Sequence, residues 1–165
     1  MTDPRLSTLL AQLARAFDRR SWHGTNLLGS VRRLDPETAA WRPAPGRHNA
    51  WEIVVHAAYW KYRVVRLVAA EPPAAFTLAG SDWFPRPEEA TVRAWKEDVG
   101  LLRDWHRRLA AAVEALDPAR LDEKATSEWS FFDLVAGAAA HDLYHAGQIQ
   151  LLRRLRGGRG APPER

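Results

Sequence analysis

The sequence predicts an all-α protein, a four-helix bundle, and three observations predict it. Apolar residues recur at steps of three and four along four long stretches. Helix-start patterns open those stretches, and proline or glycine closes them. Between them there is no strand-like alternation of useful length and no internal repeat.

Asp3 is placed to cap the first helix, with Pro4 at its first position. Leu6, Leu9, Leu10, Leu13, Phe17, Leu27, Leu28, Val31 and Leu34 then keep a roughly helical spacing. They predict one long helix to Leu34, bent around Ser21 to Gly24. Asp35-Pro36 ends it and starts one short turn through Trp41, after which Pro43, Pro45 and Gly46 make a loop to His48. The second helix opens on Asn49-Ala50-Trp51-Glu52, a capping box in which Asn49 caps and Glu52 reaches back. Its stripe runs Ile53, His56, Trp60, Val64 and Leu67, and it stops before Pro72-Pro73. Residues 71–87 form a proline-rich connection long enough to cross the bundle, with Trp83-Phe84 expected to tuck against the helices.

The third helix runs from about Glu88 to Leu116 on Val92, Trp95, Val99, Leu102, His106, Leu109 and Val113, and Asp117-Pro118 terminates it. The fourth starts at Ser130-Phe131-Phe132-Asp133, a second capping box, with Trp129 placed to staple onto Leu134. It ends at Gly157. The domain is therefore residues 1–156, and the glycine- and proline-rich 157–165 read as a disordered tail.

Composition narrows the function. At 165 residues, 46% hydrophobic and 27% charged, the chain fits one globular domain with a proper core. No apolar run reaches the eighteen or so residues of a membrane span, and the start lacks a secretory signal, so a cytoplasmic protein is expected. The pI near 9.9 comes with a net charge of only +4. The one dense basic cluster, Arg153, Arg154, Arg156 and Arg159, has no interleaved aromatics, which argues against a nucleic-acid partner. There is no cysteine, which removes thiolate ligands and a cysteine nucleophile together, so any bound metal is held by nitrogen and oxygen.

The candidate chemistry lies in His141-Asp142-Leu143-Tyr144-His145-Ala146-Gly147-Gln148. Histidines four apart leave one helix face about 6 Å from each other. The same face carries Leu134, Ala138, Gln148 and Leu152, a predicted buried stripe. Spacing alone leaves two ordinary histidines as the alternative. Their place on a core stripe, with His56 on the stripe of another helix, favours a metal site of three imidazoles with an open position. Gln148, one turn after His145 on the same face, could supply an acceptor carbonyl to such a ring or hold a bound water. Asp142 points about 100° off that face and reads as a solvated or helix-pairing residue, and its identity excludes the zinc-protease pattern, which needs glutamate there. His106 could line the same pocket or be a hydrogen-bonded core histidine. His23 is placed near the middle of the first helix, and Trp60 is a candidate pocket wall.

Asn49-Ala-Trp-Glu-Ile-Val-Val-His56-Ala-Ala-Tyr-Trp60 and His141-Asp-Leu-Tyr-His145-Ala-Gly-Gln148-Ile149 resemble the DinB/YfiT-like superfamily of metalloenzymes. Ser21-Trp22-His23-Gly24 and Trp83-Phe84-Pro85 are similar to its members as well. The resemblance implies an up-down-down-up bundle, a homodimer, and a divalent metal, often zinc or nickel, on His56, His141 and His145. It also implies chemistry of the kind known in the family, in which a low-molecular-weight thiol such as bacillithiol or mycothiol is transferred to an electrophile. His23 or His106 would then move protons, and Gln148 and Trp60 would line the pocket. The alternatives are a hydrolase using metal-bound water and a non-catalytic metal-binding or stress-response dimer.

Overall fold

The computed structural model describes residues 3–157. The expected tail beyond Gly157 lies outside the described residues. Four long helices form the body: α1 (Pro4–Phe17), α4 (Ala50–Val68), α5 (Val92–Glu114) and α6 (Phe131–Arg156). Two short helices, α2 (Leu27–Val31) and α3 (Pro36–Ala40), follow α1, and a 3-10 turn, Pro118–Asp122, follows α5. Among the described residues there is no strand, and no helix is long and apolar enough to cross a membrane.

The start signals act as their side chains dictate. Asp3 accepts from the Arg5 N–H ahead of Pro4. Both capping boxes close, Asn49 with Glu52 and Ser130 with Asp133. The expected single helix to Leu34 is corrected. α1 stops at Phe17, Gly24 takes a positive φ of 97°, and Asn26 starts α2 by accepting from the Gly29 N–H. The apolar residues of α1 and α2 happen to stay in phase, so periodicity alone could not see the break. The third helix likewise begins at Val92, capped by Thr91, rather than at Glu88.

α4 is the central rod, with every residue from Ala50 to Tyr59 buried. Trp51 donates to Asp98 (2.7 Å) and Tyr62 packs edge-on to Trp105 (5.0 Å), so α4 and α5 run in the same direction. His56 meets His145 and Lys61 meets Asp142, so α6 runs opposite to α4. Arg5 reaches Asp122 just past α5 while Phe17 stacks on His106, which sets α1 against α5. These contacts make the order of the long helices up-down-down-up, the arrangement that the 71–87 crossover permits. Within that crossover Phe84 is buried and Trp83 half-buried.

The buried face of α6 is rotated by about one residue from the predicted stripe. Its centre is Phe131, Val135, Ala139, Asp142, Ala146 and Ile149, while Leu134, Ala138, His141, Gln148 and Leu152 are only partly buried. Of its two readings, Asp142 is thus the helix-pairing residue and not the solvated one. It is fully buried and paired with Lys61 at 2.6 Å, itself buried on α4. Burial outweighs the pairing and raises the Asp142 pKa above the usual carboxylate range. The pair pins α6 to α4 at the level of the histidines, Asp142 lying between His141 and His145 in the chain. Lys61→Ala, which strands the carboxylate, is expected to cost about 3–5 kcal/mol in urea denaturation, whereas Lys61→Met with Asp142→Leu recovers most of that loss.

Candidate metal centre

Three imidazoles from two helices meet at one point. His56 Nε2 lies 3.2 Å from His141 Nε2, and His145 Nε2 lies 3.0 Å from the same atom. His56 and His145 are buried and His141 is half-buried. Among the described residues these are the histidine and acidic donors that converge closely enough to share an ion.

The outer nitrogens of His56 and His145 are already committed. His56 Nδ1 donates to the main-chain carbonyl of Asp82 at 2.9 Å, with the Asp82 carboxylate at 3.3 Å. His145 Nδ1 donates to Gln148 Oε1 at 2.6 Å. These partners assign the Nδ1–H tautomer to both rings and leave both Nε2 atoms as lone pairs aimed inward. His141 Nε2 sits between them and carries at most one hydrogen. At least one of the two short contacts is therefore lone pair against lone pair, unless a cation lies between.

Protons do not resolve that conflict. Burial pushes His141 down to about 3, helped by the neighbouring His145 and His56, and pushes His145 down to about 4. Burial lowers His56 as well. Neutral imidazoles are the form a metal takes up. A tetrahedral ion with nitrogens at about 2.0–2.1 Å sets them about 3.3–3.4 Å apart, a few tenths of an ångström wider than the two spacings to His141 Nε2, and the three donor atoms all lie within 4.8 Å of one another. The donor set therefore fits a divalent cation.

The loop ahead of α5 roofs the site. Trp83 stacks on His56 at 3.9 Å and on His48 at 3.6 Å. His48 in turn bonds Glu52, whose carboxylate also pairs with Arg42 and closes the α4 capping box. One chain of contacts thus runs from the start of α4 to the His56 ring. Asp82 has a φ of 63°, uncommon for a side-chain-bearing residue, and its carbonyl is the one that orients His56. Sequence reasoning missed Asp82, because a main-chain acceptor leaves no side-chain signal.

The other candidates are placed less centrally. Gln148 turns its side-chain carbonyl to His145 Nδ1, one of the two roles open to it. Trp60 is 39% exposed rather than buried on its stripe, donates to the Asp82 carboxylate at 2.8 Å, and stands edge-on to His56 and His141. His23 is exposed in the turn between α1 and α2, not within a helix, because α1 ends at Phe17. His106 is a buried core residue stacked on Phe17 at 3.7 Å, away from the clustered donors, and its Nδ1 finds no partner among the described residues.

The model of the DinB superfamily matches residues 18–149, most of the chain, and the chain belongs to that superfamily. No curated protein and no solved structure matches it.

The lowered histidine pKa values fix a direction for acid stability. A histidine depressed in the folded state stabilises above its unfolded value near 6.5, and that stability drains as pH falls toward the folded value of about 3 or 4. In chelator-treated protein, urea denaturation between about pH 7 and pH 5 should show stability falling below about pH 6.5. Each such imidazole adds about 1.4 kcal/mol per pH unit to the slope. Burial also pushes His106 down to about 3, so His106→Phe, which keeps the ring on Phe17, should lower the slope by one imidazole's share.

Proposed function

We propose that this chain binds a divalent metal ion, zinc or nickel, through the Nε2 atoms of His56, His141 and His145. We further propose that it transfers the sulfur of a low-molecular-weight thiol to an electrophile. The observation that carries the reading is the convergence of three imidazoles, two of them with their outer nitrogens already bonded so that their lone pairs face inward. Membership in the DinB superfamily supports it.

When bound, the ion would supply a Lewis acid that favours thiolate over thiol at neutral pH. The chain's residues supply the rest. Asp82 and Gln148 hold two of the rings in the tautomer that keeps Nε2 free. Trp83 covers His56 and excludes water from that side. The absence of cysteine from the chain fits a sulfur nucleophile brought in by a small molecule. In the transfer the thiol gives its proton to solvent, its sulfur forms the bond to carbon, and the leaving group departs with its electron pair.

Metal analysis of the purified protein before and after chelation, paired with a thiol-conjugation assay, tests this. One equivalent of metal is expected in the wild type and far less in His56→Ala, His141→Ala and His145→Ala, with helical content retained. Gln148→Ala should bind metal about 10–100-fold more weakly. Full occupancy with no turnover across bacillithiol, mycothiol and glutathione would contradict the transferase reading and favour a binding role. Stoichiometric metal in His56→Ala would contradict the ligand set.

A further inference from the structure

A groove of about 270 Å³ runs along α4 and α6 and ends on the His141 ring. The indoles of Trp60 and Trp129 line it, with Val64, Leu134, Gly137 and Ala138. Lys61, its one cation, is paired with Asp142, and Asp133, which accepts from the N–H and hydroxyl of Ser130, keeps its negative charge at an exposed position. No cation in the groove is free to pair with an anion, so a negatively charged ligand would lose its hydration without compensation.

Gly137 points the same way. Glycine inside a helix is less favourable than alanine, and it usually survives where a neighbour comes too close for a side chain. Here a Cβ would meet nothing within 4 Å. Packing does not require this glycine, yet its missing side chain keeps the groove open one turn before His141. The two indoles are exposed, 39% for Trp60 and 54% for Trp129. Aromatic walls of this kind favour a flat apolar ring.

We infer that this groove seats an aromatic group of the electrophile that carries no negative charge, and delivers it to the metal centre. The inference rests on the metal reading for its catalytic meaning, but the groove's ligand class stands on the lining alone.

Ligand-observed NMR titration with 2-naphthalenemethanol and 2-naphthoate tests it. The alcohol is expected to bind the wild type, with the carboxylate on the order of tenfold weaker. Gly137→Leu, at an exposed position with room for a side chain, should weaken the alcohol by about tenfold while metal content and helicity stay unchanged. Trp129→Ala should weaken it about fivefold through the lost ring contact. Unchanged binding in both variants would overturn the inference, as would a carboxylate that binds as tightly as the alcohol. A dimer that sedimentation shows falling apart in Gly137→Leu would also overturn it, by assigning the groove to a second copy. Metal content on the same samples keeps the two readings apart. Protein with full metal and no naphthalene binding refutes the groove alone, and protein that binds the alcohol without metal supports the groove and refutes only the metal.

Discussion

The site depends on a constraint between lone pairs. Two imidazoles whose outer nitrogens donate to fixed acceptors must present bare inner nitrogens, and both are pressed against a third ring at 3.2 and 3.0 Å. In a dry setting that crowding is unfavourable without a positive charge at its centre, and burial denies the rings the proton that could supply it. Everything nearby serves to maintain it. Gln148 and the Asp82 carbonyl keep the rings from turning, and Trp83 keeps His56 from leaving.

Holding three rings together requires two helices at a set height, and the polar interior does that work. The Lys61–Asp142 pair lies at the middle of the α4–α6 contact, where an apolar pair would allow sliding more readily. At the other end of α4, Glu52 gathers Arg42, His48 and the Asn49 N–H, and through His48 it steadies Trp83. Such buried pairs add little net stability, and setting register is their best-attested use.

Much of this was legible in the sequence, for physical reasons. The capping boxes at Asn49 and Ser130 are local chemistry, so they appear in the chain as they do in space. His141 and His145 share a face through helix geometry, and His56 came from the apolar spacing of α4. What escaped were features that periodicity averages away. Hydrophobic spacing put the centre of the α6 face on His141 and His145, because a buried aspartate looks like a polar residue until its lysine on another helix is seen. The in-phase leucines of α1 and α2 hid the break after Phe17, which moved His23 out of the bundle and into an exposed turn. His106 followed its stripe correctly into the core, but to a layer against Phe17 rather than to the donors. Trp60 carries a stripe position yet stands at the rim, where it forms one wall of the groove beside His141.

The most direct measurement is X-ray absorption at the metal edge of protein purified with its ion in place. The structure predicts a first shell with three imidazole nitrogens at about 2.0–2.1 Å, and the multiple-scattering pattern of histidine rings. It also predicts that His141→Ala, measured with added metal because it holds the ion more weakly, shows one imidazole fewer. A shell with one imidazole or none, or one unchanged by that substitution, would contradict the convergence on which the site is built.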